Sequence, residues 1–257
     1  MAFAVRGDID LPVGVDLPGG VDLPDEIPLP GDDAATADAA TADGGPAEAG
    51  PADESSALGG LRPALTPQDA RTALAALPET EAAPAGLPDY ERDDYGERWA
   101  DVDGNGCNQR DDVLLRDAQP ETVRTAPQNA CGSDVLAGTW LDPYTGVTVT
   151  FDDLKDEAQA QAISIDHVVP LAEAHRSGAA GWQPQQRVEF ANDLDNLLAV
   201  DGPTNSIKGD ADPSRWLPPD SSSWCGYAVV WVSVKTEWSL SVDAEERAAV
   251  ERVLADC

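Results

Sequence analysis

Proline at every sixth position restricts the first part of this chain more than any other feature. Between Asp10 and Asp33 the sequence runs "DLPVGV DLPGGV DLPDEI PLPGDD". Each proline removes a backbone donor and fixes φ, so neither a sheet ladder nor a helix runs through the repeat. The aliphatic groups between them are too few to offset the entropy of ordering the backbone. An Ala/Asp/Thr/Gly stretch follows to about Gly60, and residues 1–88 are expected to be a disordered acidic leader. One short helix is expected within it, at "TPQDARTALAAL", with Thr66 as N-cap and Pro67 at the first helical position. All four cysteines, all seven tryptophans and both histidines lie beyond residue 88. Residues 89–257 are therefore expected to be the folded domain and the seat of function.

Charge narrows the partners. The formal net charge is −32; the leader holds 16 acidic against 3 basic side chains and the remainder 32 against 13. Such a field repels polyanions at long range, so any hold on nucleic acid must be local and helped by a bound cation. A basic groove has few arginines to draw on, among them Arg110, Arg176, Arg187 and Arg215. No apolar run reaches the roughly 18 residues that span a bilayer, so no membrane span is expected.

Cys107, Cys131, Cys225 and Cys257 contain no CxxC pair of the kind zinc sites use. Disulfides are the better reading, and of the three possible connectivities the pairing of sequence neighbours is favoured: Cys107 with Cys131, Cys225 with Cys257. That implies an oxidising compartment, extracellular or in the cell envelope. The start "MAFAVRGDIDLP" lacks the regions of a signal peptide. The two observations agree if that start is processed, truncated or misassigned.

Within the domain, "GVTVTF", "AISIDHVVPL" and "NLLAV" read as strands, the second stopped by Pro170. "LAEAHRSGAAGW" and "QQRVEFAND" read as helices, a further helix is expected around Asn205, and "VDAEERAAVERVLADC" is helical with Asp243 as cap. "YAVVWVSVKTEW" is ambiguous between strand and helix. The fold class is α+β with few strands.

The chemistry-bearing stretch is "SIDHVVPLAEAH". Asp166 and His167 leave opposite faces of a regular strand, so they can meet one reacting group only if the strand ends or bends there. About thirty residues on, "DNLLAVDGPTNSIKGDADP" places Asn196 and Asn205 around a strand, with Lys208 one helical turn past Asn205.

This order of residues resembles the HNH, or ββα-metal, nuclease family, and in particular its GmrSD-type branch of small exported actinobacterial proteins. The resemblance runs from Tyr90 to Cys257 through "DVDGNGCNQRDDVL", "GTWLDPYTG", "IDHVVPLAEA", "FANDLDNLLAV" and "NSIKGDADPSRWLPP". It implies a ββα-metal core with flanking helices, with His167 as general base. It also implies Asp166 and Asn205 as ligands of one divalent cation, Mg²⁺ or Mn²⁺, and Asn196 as the brace that orients His167. Lys208 or Arg187 is expected to hold the phosphate. The implied substrate is nucleic acid, DNA first and RNA second, cut with little sequence preference and without an organic cofactor.

Other features are weighed more blandly. His175 is expected to be a bystander, Glu173 a solvated or supporting side chain, and Trp140, Trp182, Trp216 and Trp231 packing residues. Asp101, Asp103, Asn105, Gly106 and Asp112 fall on EF-hand positions, which marks Asp101–Asp112 as a possible Ca²⁺ loop, although Asp stands where Glu is usual. The rival to the nuclease is a secreted calcium-binding adhesion or interaction module carrying a degenerate HNH pattern.

Overall fold

The computed structural model describes residues 57–153, 156, 159 and 161–257. The proline hexads, the first residues and most of the expected leader lie outside the described residues.

Helix α1 (Pro67–Ala76) begins as its sequence predicts. Thr66 accepts from the Asp69 N–H, Asp69 reaches back in a capping box, and Pro67 opens the first turn. Helix α2 (Gln109–Asp117) is capped by Asn108, and strands β1 (Arg124–Gln128), β2 (Cys131–Leu141) and β3 (Thr148–Phe151) form one antiparallel sheet in that order. Strand β4 (Ile163–His167) is followed by α3 (Leu171–Arg176), α4 (Pro184–Ala191) and β5 (Leu197–Asp201). β4 and β5 form a second, two-stranded antiparallel sheet, with Asp166 opposite Leu198 and His167 opposite Leu197. Helix α5 (Gly202–Lys208) continues from β5 without a loop, because Asp201 caps it through the Thr204 N–H and Pro203 occupies its first turn.

Two helices complete the chain, α6 (Trp224–Glu237) and α7 (Ala244–Ala255). The ambiguous "YAVVWVSVKTEW" is α6. Its buried residues cover every side, and α1 and α7 pack against it. β-Branched content does not make a strand where surrounding helices bury the segment all round. Gly226 lets Ala57 approach, since a Cβ there would stand 2.3 Å from the Ala57 carbonyl oxygen.

The β4–β5 ribbon lies between two cores, which explains why β5 reads as an unbroken apolar run. Leu198 and Val200 join the main core with Leu58, Leu74, Phe190 and the α6 side chains. Leu197, Ala199, Ile163 and Ile165 join a second core with Trp140, Phe151, Val113 and Leu114.

Three expectations change. The boundary at residue 88 moves, because Leu58, Leu61, Leu74 and Leu77 are buried in the main core. Strand content is larger than expected: the sequence reading missed β1 and the eleven-residue β2, whose Gly and Asp hide its alternation. Glu173 is buried rather than solvated, held by Lys235 at 2.9 Å and Arg176 at 3.0 Å. Cys107 pairs with Cys131 and Cys225 with Cys257, with Cα–Cα distances of 4.3 and 5.8 Å. Among the described residues no helix is long and apolar enough to cross a membrane.

Candidate active site

β4 ends at His167, and there the chain leaves the sheet. The main-chain N–H of Val168 donates to the Asn196 carbonyl at 2.8 Å, and the Asn196 side chain exchanges two hydrogen bonds with Val169, accepting at 2.8 Å and donating at 3.1 Å. Asn196 is fully buried, so it clamps the two residues after His167 in one conformation.

His167 is fixed from two directions. Its Nε2 lies 2.9 Å from the Ala191 carbonyl oxygen, which can only accept. Nε2 therefore carries the proton and Nδ1 keeps the lone pair. On its face the ring stacks with Trp99, centroids 6.2 Å and planes 14° apart. Burial pushes the imidazole pKa down to about 4, with Arg92 and Lys208 acting in the same direction against the Ala191 hydrogen bond. The ring is thus neutral at pH 7.

Asp166 leaves the opposite face, toward the main core. Tyr144 donates its hydroxyl to Oδ2 at 2.6 Å, and the Lys208 ammonium reaches Oδ1 at 3.0 Å and Oδ2 at 2.9 Å. Lys208 also donates to the His167 carbonyl at 2.8 Å. Burial pushes the Asp166 carboxyl up and the Lys208 ammonium down, and their mutual attraction opposes both shifts. Lys208 is 1% exposed with its donors turned inward, so the phosphate-holding role expected of it is not available where it sits. Arg187 does not reach the site either: it donates to the carbonyls of Asp94 and Trp182.

Asp166, His167 and Asn205 line one cavity of about 300 Å³. Asn205 is presented by α5, its Nδ2 donating to Ser164 Oγ at 3.0 Å, and Gly209 ends the helix with φ 55, a conformation that favours glycine. The lining beside the histidine thus includes one carboxylate residue and one amide residue, although the Asp166 oxygens are bonded on the core side by Tyr144 and Lys208. The two residues fit Mg²⁺ or Mn²⁺ in donor type. A carboxylate oxygen has more than one lone pair, so Asp166 can serve an ion while keeping Lys208 and Tyr144. Among the described residues no three His, Cys, Asp or Glu side chains converge as a metal cluster.

The opposite wall of the cavity was not foreseen. Tyr90, Arg92, Arg98 and Trp99 supply it. This lead-in is held down by His175, whose Nε2 donates to the Pro88 carbonyl at 3.0 Å and whose Nδ1 lies 3.4 Å from the Tyr95 hydroxyl. His175 is buried and lies outside the cavity lining. The sequence signal was available in part, as arginine and aromatic residues concentrate in "DYERDDYGERW" within an otherwise acidic chain. Of the arginines expected to build a groove, Arg176 is paired with Glu173 and Asp210, and Arg215 with Asp212.

The Asp101–Asp112 segment closes on itself. Asp101 accepts from the Gly104 and Gly106 N–H groups, and the Asn105 amide donates to Asp103 and Asp112. The Cys107–Cys131 disulfide then ties it to β2.

The ββα unit and the three cavity residues on it fall within residues 108–250, which match the GmrSD restriction endonucleases, C-terminal domain. The chain belongs to this family, which supports the HNH-type nuclease resemblance read from its motifs. It is also 39% identical over 191 residues to an uncharacterized secreted protein of Arthroderma benhamiae, an alignment covering 73% of this chain and 86% of that protein. No solved structure matches the chain.

Proposed function

We propose that this protein is an extracytoplasmic, cation-dependent endonuclease that hydrolyses phosphodiester bonds in DNA, and in RNA as a second substrate, with little sequence preference. One observation carries the reading. A neutral histidine with its tautomer set by the Ala191 carbonyl shares one cavity lining with Asp166 and Asn205, the two residues whose side chains carry hard oxygens.

In this reading His167 Nδ1 takes a proton from the attacking water, and the Ala191 carbonyl stabilises the imidazolium that forms. Trp99 and the Ala191 hydrogen bond hold the ring plane, while Asn196 holds the backbone beneath it. Asp166 and Asn205 would hold the divalent cation, which supplies charge neutralisation at the phosphate when bound. Lys208 acts behind Asp166, orienting its carboxylate from the core side. Because Lys208 already neutralises much of that carboxylate, the ion is expected to bind weakly. The disulfides and the secreted relative support an extracellular setting.

A plasmid-nicking assay tests the proposal. Wild-type protein is expected to nick and linearise plasmid with Mg²⁺ or Mn²⁺ and to stop on chelation, and His167→Ala should be slower by about 10²–10⁴-fold. A wild type that leaves plasmid and RNA intact in every cation, or a His167→Ala variant that cuts normally, rejects it. The calcium-binding module predicts stabilisation by Ca²⁺ with no cutting at all.

A further inference from the structure

In an acidic chain basic side chains find partners easily, so those left without one stand out. Among the described residues Arg116, Arg176, Lys208, Arg215, Lys235 and Arg247 hold carboxylates. Arg62, Arg71, Arg92, Arg124 and Arg187 donate to carbonyl or amide oxygens. The side chains of Arg98, Arg110 and Arg252 make neither an ion pair nor a hydrogen bond with any described residue.

Two of these three stand together. Arg98 and Arg110 line a cavity of about 730 Å³ that shares Arg98, Trp99, Ile165 and Asn205 with the cavity at His167. Arg252 is on α7 and lines neither. Arg110 is partly buried, with Asp111 and Asp134 acting on it only beyond ion-pair distance, and burial depresses its pKa. A desolvated guanidinium without a bonded anion is held at a cost that an arriving anion relieves. A polyanion repelled by the rest of the surface meets its local attraction here, beside Asn205.

We infer that Arg98 and Arg110 form a second phosphate subsite, which receives the phosphate adjacent to the scissile one as the substrate strand passes Asn205. The inference rests on the nuclease reading and deepens it: the preferred substrate is a strand with at least two consecutive phosphates. It also assigns a binding role to a residue, Arg98, that precedes the matched family region.

Two substrates test this. One is an oligonucleotide. The other is bis(4-nitrophenyl) phosphate, a diester with a single phosphate that has nothing to place in a second subsite. The variants are Arg98→Ala, the double variant Arg98→Ala/Arg110→Ala, and Arg252→Ala as a charge-matched control. For the double variant kcat/KM on the oligonucleotide should fall about 10- to 100-fold, mainly through KM, and the salt slope of binding should fall by about one to two. Its hydrolysis of bis(4-nitrophenyl) phosphate should fall by several-fold less than its oligonucleotide cleavage, since Arg98 also walls the His167 cavity, and the activity that remains shows that it is folded. Arg98→Ala, altered at an exposed site, should show part of the same split, and Arg252→Ala none. If the double variant equals Arg252→Ala on the oligonucleotide, or loses both substrates equally, the subsite is refuted while the nuclease reading stands. A wild type inactive on both substrates refutes the two together.

Discussion

Trp99 lies flat against His167, centroids 6.2 Å and planes 14° apart, from a backbone position with φ 59. A bulky residue in the left-handed region costs about 1–3 kcal/mol and persists only where its surroundings require it. Here the reward is a face that keeps the imidazole plane from turning about its remaining bond to the Ala191 carbonyl.

Replacement of Trp99 tests that relationship. Trp99→Ala is expected to lower kcat about 10-fold with a smaller change in KM, because the ring loses orientation and not substrate contact. Thermal stability should also fall, since Ala keeps the Cβ that strains this φ while the ring's packing on the second core is lost. Trp99→Phe should restore part of kcat. An unchanged kcat for Trp99→Ala would show that the stack does not position the base.

The Lys208–Asp166 pair makes a stability prediction. Lys208→Met leaves a buried carboxylate with Tyr144 as its remaining side-chain donor, at an expected cost of about 3–5 kcal/mol in urea unfolding. Asp166→Asn combined with Lys208→Met should recover part of the loss, because no charge then remains uncompensated. A cost below about 1 kcal/mol for Lys208→Met would mean that the carboxylate reaches water.

Glu246 predicts a pH dependence. Burial raises its carboxyl from the ordinary 4.5 to about 7, against the pull of Lys235 at 2.6 Å. A folded pKa above the unfolded one means the folded state binds the extra proton. Its stabilising contribution is therefore complete below about pH 4.5 and lost as pH rises through about 7. Calorimetry from pH 5 to 8 should show the melting temperature of wild type falling by more than that of Glu246→Gln. Parallel curves would sink the assignment.

The Cys107–Cys131 disulfide joins the Asp101–Asp112 loop to β2 across a separation of 24 residues. Cys107→Ser/Cys131→Ser should lose about 3 kcal/mol of stability, the scale expected from closing a loop of that length. Because Arg110 and the first turn of α2 lie within this loop, oligonucleotide affinity should weaken in the same variant. A double-serine protein with wild-type unfolding midpoint would contradict this.

Much of the candidate site was legible because its signals are local. Alternation and Pro170 mark β4, the apolar run marks β5, and Asp201, Pro203 and Gly209 delimit α5, so the order Asp166, His167, Asn196, Asn205 is readable from neighbours in the chain. The capping box at Thr66 is equally plain, yet the helix it starts reads from sequence as part of a disordered leader. Its few apolar side chains, Leu74 and Leu77 among them, matter only once α6 and α7 offer a surface. β2 was missed for the converse reason: its pattern is weak and its partners β1 and β3 provide the order.

The sequence by itself determined the residue types on a short ribbon and helix and the α+β class, since each follows from spacing or near-neighbour chemistry, while it only favoured, among three connectivities, the cysteine pairing that the fold then fixes. Only the tertiary structure decided which way those side chains face. Lys208 turns inward because Asp166 points into a core that cannot leave a carboxylate unpaired. Arg98 and Trp99 reach the cavity because His175 and Tyr95 pin the lead-in across a gap of 80 residues, and contacts of that range depend on packing that no local pattern encodes.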